Sequence, residues 1–416
     1  MDLTLEHARA RDAADPLAAH RDRFVHADDT IYLDGNSLGR LPRATPHVLV
    51  DVVEQQWGAG LIRSWPRWLE DARATADLLG EVVLGVAPGQ VLVGDSTTVS
   101  LYRLAVAAVR ARPGRTRILV EADAFPTDLY VLDGVARDHG LELVRIEAPI
   151  DDGVRAEHLA PLLDETVALV CLSQVHYRSG ALLDLAGLTA LAHDVGALTL
   201  WDLCHSAGSV EVPLAASGAD IAVGCTYKYL NAGPGAPAFS YVRADLLPSL
   251  RSPIQGWFSQ ADQFAMAPDY DPVAGIDRIA AGTPDVRGIA AVREGVRTIE
   301  AAGVVALRAK GAALGDLAIA LADAWLAPLG FRVASPRDAS LRGAHVVLEH
   351  PEAWQACQAW IDAGVIPDFR APDRVRIGLA ALTTSFEDVW VGLDRLRTIV
   401  AEGRHLDYPT ERGRVT

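Results

Sequence analysis

The chain has 416 residues and a net charge of -16, with half of its residues hydrophobic and 22% charged. That is enough apolar mass for one large domain and a smaller one, and too much for wholesale disorder. So acidic a surface argues against nucleic acid or an anionic membrane as the main partner, and no uncharged apolar run has the length of a membrane span.

Residues 1–30 read as helical and amphipathic, and their charged opening lacks the apolar stretch of a signal peptide. Ile31 to Gly39 is a short apolar run broken by a turn cluster. From about residue 65 to 300, β-type runs (Val91-Leu-Val-Gly, Arg117-Ile-Leu-Val-Glu, Val167 to Ser173, Leu198 to Asp202, Ile221 to Thr226) alternate with stretches at helical spacing. Near-continuous apolar strands in a βα alternation predict an α/β fold with a mostly parallel sheet covered on both faces. Ala301 to Ala327 reads as one long Ala-rich connector helix, and Phe331 to about Gly403 as strand, strand, helix, strand, helix. The expected division is therefore an N-terminal segment (1–60) packing on a small domain, a large α/β domain (61–300), and the connector with a small α+β domain (301–416). The four cysteines (Cys171, Cys204, Cys225, Cys357) show no paired spacing and read as buried, reduced thiols, as expected of a cytoplasmic protein.

Ligands of open α/β sheets bind at the carboxyl ends of the strands, so the polar residues there carry the functional reading. Of 38 basic residues only Lys228 and Lys310 are lysine. Arginine stays protonated, whereas a desolvated lysine can attack a carbonyl. Lys310, in Ala-Leu-Arg-Ala-Lys-Gly, reads as a solvated helix residue. Lys228 ends an apolar run before a Gly/Pro turn, as a Schiff-base lysine would. Thr97 and Thr98 follow Ser96 at a helix start after a strand, where hydroxyls and free N–H groups form a phosphate site; alone they read more readily as an ordinary cap. Asp202 ends another apolar strand, where a carboxylate suits a protonated pyridine nitrogen, or a structural pairing with arginine. The spacing to His205 is also that of a metal pair, but no further ligands cluster in the sequence, so metal is set aside. Phe125 and Asp128, after a further strand, could stack on a ring and bond its polar edge.

A phosphate cradle, a ring stacker, a pyridine acid and a Schiff-base lysine at successive strand ends form the set expected for pyridoxal 5'-phosphate. The segments Tyr32 to Gly39, Phe125-Pro-Thr-Asp128, Asp202-Leu-Cys-His205, Tyr227 to Gly233, Gly256-Trp-Phe and Gly282-Thr-Pro284 resemble the kynureninase family over roughly residues 30 to 400. The resemblance implies the fold type I architecture of pyridoxal-phosphate transferases, with a seven-stranded sheet and a small C-terminal domain. It implies hydrolysis of L-kynurenine, and possible use of the 3-hydroxy derivative, in tryptophan catabolism or NAD biosynthesis. Lys228, Tyr227 and Asp202 would be catalytic. Thr97, Thr98, Phe125, Asp128, Ser173, Asp202, His205, Tyr227, Lys228, Trp257 and Thr283 would bind cofactor, with Thr283 reaching across a homodimer interface. Arg376 would clamp the substrate carboxylate and Trp65 would line the substrate pocket. Two departures fall on the substrate side: Ala381-Leu-Thr383 where the family has Pro-Leu-Tyr, and Ser259-Gln260 after the Trp-Phe pair. A cysteine desulfurase, an aminotransferase and a non-catalytic relative share the same frame. The first needs an exposed nucleophilic cysteine, and the last has no need of Lys228, Asp202 and Arg376 together.

Overall fold

The computed structural model describes residues 2–27 and 29–411. After a short strand β1 (Ile31–Tyr32), seven strands build a central sheet: β2 (Val91–Val93), β3 (Arg117–Glu121), β4 (Glu142–Ile146), β5 (Val167–Ser173), β6 (Leu198–Asp202), β7 (Ile221–Gly224) and β8 (Phe239–Val242). Their spatial order is β2-β8-β7-β6-β5-β3-β4, and only the pairings made by β8 are antiparallel. Strands β5 to β8 are buried at every position. Leu119, Val170, Leu172 and Ala222 face one apolar core, and Ile118, Val120, Cys171, Leu200 and Val223 face the other. This is the alternation of a strand covered on both sides. All the strands but β8 run the same way, so their carboxyl ends share one edge.

A second sheet, in the order β12-β13-β10-β9, is wholly antiparallel: β9 (Arg332–Val333), β10 (His345–Glu349), β12 (Asp368–Arg370) and β13 (Arg374–Gly378). It shares a core with the helices Val304–Leu321, Ala353–Asp362 and Phe386–Ala401. Trp360 is fully buried in that core and donates its indole N–H to the Gly392 carbonyl at 2.9 Å. Strand β11 (Val365–Ile366) pairs in parallel with β1, which binds the start of the chain to this unit.

Three sequence readings change. Among the described residues of the first thirty, the helical elements are the helix Leu5–Ala13 and a 3-10 turn over Ala18–Arg23. The connector is two helices, Val286–Ala302 and Val304–Leu321, separated at Gly303 with φ of 79°. Lys310 is not solvated. It is buried, with its Nζ 2.6 Å from Asp15 Oδ2, and both side chains are under a tenth exposed. Nearby, the Asp12 carboxylate accepts from the N–H groups of Phe386 (2.8 Å) and Glu387 (2.9 Å), completing the cap of the last long helix. Two aspartates thus fasten the N-terminal segment to the second core.

Removing one partner of a buried ion pair strands the other charge. Lys310→Met is expected to lower unfolding stability by about 3 kcal/mol or more, and the double change Lys310→Met with Asp15→Leu to recover most of it. Urea midpoints at unchanged slope measure both. A midpoint unaffected by the single change would show that the pair contributes nothing.

Candidate active site

The polar residues expected at strand ends lie along the one carboxyl edge. Thr97 begins the helix Thr97–Arg110 beyond β2, where Ser96 accepts from the Val99 N–H. The turn into that helix is sharp, with Asp95 in the left-handed region (φ 52°). Arg103, buried nearly two helical turns further on, grips Asp95 at 2.8 Å and donates to the Ile279 carbonyl at 2.9 Å. The site end of this helix therefore rests on a buried guanidinium that the sequence reading did not single out. An arginine inside an otherwise apolar helix was the available signal. The Thr97 hydroxyl is 3.9 Å from Cys204 Sγ, which brings this helix start beside the loop after β6.

On that loop, Asp202 Oδ1 accepts from the Cys204 N–H at 2.7 Å. Asp202 is paired across the sheet with Ser173 and also meets the side chain of Asp128. Burial, reinforced by Asp202 and Glu121, pushes the Asp128 carboxyl well above its ordinary range. Asp128 thus holds a proton, and its contact with Asp202 is an O–H···O bond. Glu121, at the end of β3, is the third carboxyl. It is fully buried, and burial raises it to about 8 against the pull of Ser173, with Asp202 adding to the rise. The sequence reading missed Glu121 because it ended an apolar strand like any punctuating residue.

Lys228 Nζ lies 3.2 Å from His205 Nε2, and Arg376 Nη1 lies 3.5 Å from the same nitrogen. Burial first, and then the charges of Lys228 and Arg376, hold His205 well below the usual imidazole range. Both neighbours donate, so His205 is neutral with its lone pair on Nε2. The Tyr227 ring lies 5.9 Å from Lys228 Nζ, and burial keeps its hydroxyl protonated well above the usual phenol range. Gly39 packs against the lysine backbone: a Cβ there would fall 2.2 Å from the Lys228 carbonyl oxygen, and its N–H donates to Tyr227 O at 2.8 Å.

Arg376 is 1% exposed. Asp368, directly opposite on β12, grips its Nε–Nη2 edge, with Nε at 2.5 Å. Ser37 Oγ accepts from Nη2 at 3.1 Å and the Tyr177 carbonyl from Nη1 at 2.7 Å. The Nη1–Nη2 edge thus faces His205, Ser37 and Tyr177. Phe125 is over a third exposed and meets Tyr177 edge-on at 5.3 Å.

Trp65, Trp257 and Thr283 form a separate group. Trp65 contacts Trp68 (5.3 Å) and Phe258 (6.2 Å), and Trp257 contacts Phe264 (6.1 Å). Thr283 and Phe258 line a cavity of about 770 Å³ beside Gly94 and Asp95. Among the described residues, no hydrogen bond or ring contact joins these three to Lys228 within one chain. Ser259, one of the departures, is used within its own turn: its hydroxyl receives Tyr270 OH at 2.9 Å. No group of three or more potential metal ligands occurs among the described residues.

The donor set fits pyridoxal 5'-phosphate. A lone amine stands beside a neutral imidazole, a buried carboxylate ends the neighbouring strand, and a hydroxyl-bearing helix start lies beside the loop that follows that strand.

A family model described as Kynureninase C-terminal domain matches residues 307–396, and one described as Aminotransferase class-V matches residues 73–328. A kynureninase of Pseudomonas fluorescens is 40% identical over 399 residues, 94% of each chain. One from Deinococcus radiodurans is 42% identical over 393 residues, 93% of this chain and 94% of its own. Among solved structures, the apo cysteine desulfurase of Thermococcus onnurineus NA1 aligns with a TM-score of 0.81 at 19% identity, over 92% of this chain and 98% of that one. A cystine C-S lyase aligns with a TM-score of 0.78 at 18% identity, over 89% and 98%. At such identities the likeness is one of fold, and it matches the expected α/β architecture with its mostly parallel seven-stranded sheet.

The buried clasp with Asp368 gives Arg376 a structural role. Arg376→Lys keeps the charge but loses the fork, and is expected to cost about 1–3 kcal/mol of stability, read as a lower urea midpoint. An unchanged midpoint would show that a point charge suffices.

Proposed function

The chain belongs to the kynureninase family, within the class-V aminotransferases, and we propose on that footing that it hydrolyses L-kynurenine to anthranilate and L-alanine with pyridoxal 5'-phosphate as cofactor. The observation that carries the reading is Lys228 Nζ set 3.2 Å from a neutral His205, between buried Arg376 and the Asp202–Asp128 pair. Bound pyridoxal phosphate supplies an electron sink for the bonds made and broken at the substrate. Lys228, Asp202, Asp128, His205, Tyr227, Ser173, Thr97, Thr98 and Phe125 would hold it.

Each residue's part follows from its surroundings. The Nη1–Nη2 edge of Arg376 would take the substrate carboxylate in a bidentate grip by exchanging the Tyr177 carbonyl and the Ser37 hydroxyl for it, while Asp368 keeps the guanidinium from rotating. Lys228 Nζ would receive the proton from the substrate α-carbon, with His205 Nε2 steadying that nitrogen. Asp202 would face the cofactor's ring nitrogen, and Asp128 would hold Asp202 in place. Tyr227, kept protonated by burial, is a donor for the carbon released when water has added to the γ-carbonyl.

The desulfurase alternative lacks its nucleophile. All four cysteines are buried, and burial raises the Cys357 thiol to about 12. An aminotransferase would use many of the same parts and is separated from a hydrolase by its products.

The working unit we propose is a cytoplasmic homodimer. Exposed Trp57, Leu61, Ile62, Trp257, Phe264 and Met266 support an apolar partner surface. On this reading Thr283, Trp257 and Trp65 serve a site that the partner completes. Among the described residues, no helix is long and apolar enough to cross a membrane.

Purified protein is expected to be yellow with bound cofactor and to release anthranilate, detected by its fluorescence, from L-kynurenine. Lys228→Ala should lose both the visible band and turnover; normal turnover by that variant would sink the assignment. Trp65, packed among Trp68 and Phe258, offers the substrate ring an apolar wall, and a buried ring hydroxyl needs a polar partner. The ratio of kcat/KM for L-kynurenine to that for 3-hydroxy-L-kynurenine is therefore expected to exceed about 10. A preference for the hydroxylated substrate in side-by-side kinetics would overturn this point and leave the reaction class standing.

A further inference from the structure

His345 is the first residue of β10 and is fully buried, yet the chemistry above gives it no task. Its ring centroid is 5.7 Å from that of His205, at an interplanar angle of 56°. The strand start that carries it is fastened on three sides. Tyr229, next after Lys228, donates its hydroxyl to the Ala344 carbonyl at 3.0 Å, and the Leu379 N–H donates to the same oxygen at 2.9 Å. The Gly343 N–H donates to Gly180 O at 2.7 Å. Gly180 leaves room for the ring: a Cβ there would sit 3.3 Å from both Cδ2 and Nε2 of His345. The imidazole is thus set at a fixed place behind His205 by a strand of the second sheet.

The polar neighbour of the His345 ring is the Tyr177 carbonyl, which also accepts from Arg376 Nη1 at 2.7 Å. A ring buried with so little hydrogen bonding is costly, and an aliphatic side chain would fill the space without that cost. The groups facing it are Arg376, His176, Lys228 and His205, and burial followed by the charge of Arg376 keeps it uncharged.

We propose that His345 is a positioning residue: its ring backs His205 and holds the His205 Nε2 lone pair on Lys228 Nζ. The inference rests on Lys228 being the cofactor lysine. Besides His205 and His345, the titratable and charged groups around that nitrogen are Arg376, Asp202, Asp128, Tyr227, Cys204 and Cys225. An acceptor held on Lys228 favours the protonated nitrogen. Letting His205 swing away should therefore lower the pH at which the bound cofactor changes colour.

The test is a pH titration of visible absorbance on cofactor-loaded wild type, His345→Leu and His345→Gln, with steady-state kinetics alongside. The Leu variant is expected to move the midpoint down by about half a unit or more, and to lower kcat several-fold with KM nearly unchanged. The Gln variant, which restores a polar side chain of similar reach, should recover most of both. If the Leu variant does not fold, His345→Met takes its place. Midpoint and kcat at wild-type values in the apolar variant, or Gln and Leu variants equally impaired, would overturn the proposal and leave His345 as packing. A wild-type protein that binds no cofactor at all would instead overturn the reading of Lys228.

Discussion

The buried guanidinium of Arg376 is where the separate pieces of the chain meet. Asp368 comes from the adjacent antiparallel strand, Ser37 from the loop after β1, the Tyr177 carbonyl from the loop after β5, and His205 from the loop after β6. A cation taken out of water demands all of its partners at once, since any one left out exposes a costly imbalance. Satisfying it fixes where the second sheet stands against the first, and therefore where the N-terminal loop lies beside Lys228. Arg370 adds a second positive charge on Asp368 at 3.1 Å, while burial and Asp368 together raise the Asp34 carboxyl to about 7.

Around that anchor Arg376, matched by Asp368, lies with Lys228 and the uncharged imidazoles of His205 and His345. A second group is the carboxyls Glu121, Asp128 and Asp202, where burial raises the first two. Like charges crowded in a poorly solvated site cannot all ionise. The arrangement presents an amine at one end and a proton-sharing carboxyl pair at the other, at a spacing set by neighbouring strands of a parallel sheet.

Much of this could be read from residues alone. The alternation of apolar runs carried the sheet, and the scarcity of lysine together with its strand-end position singled out Lys228. Asp202, Asp128 and Thr97 followed from the rule that ligands meet strand ends. What stayed hidden depended on register and long-range packing. Asp368 and Arg376 are eight residues apart, and only the antiparallel pairing of β12 with β13 puts them face to face. His345 and Glu121 look like ordinary strand ends until their neighbours are known. Lys310 sits in an Ala-rich helix that reads as solvated, because the aspartate that buries it lies near the other end of the chain.

The N-terminal segment has a consequence for how the molecule is made. Residues 9 to 37 are synthesised well before their partners Lys310, Val365, Arg376, Phe386 and Glu387. Ser37 and Arg376 are 339 residues apart, and Arg9 and Glu387 are 378 apart. This segment must therefore wait, undocked, while the more than three hundred residues between it and Arg376 are translated. At on the order of 10 residues per second that interval is roughly half a minute. The net charge of -16 suits a chain that must stay free of its neighbours for so long. The surroundings of Lys228 are thus completed only once the strand that carries Arg376 has been made.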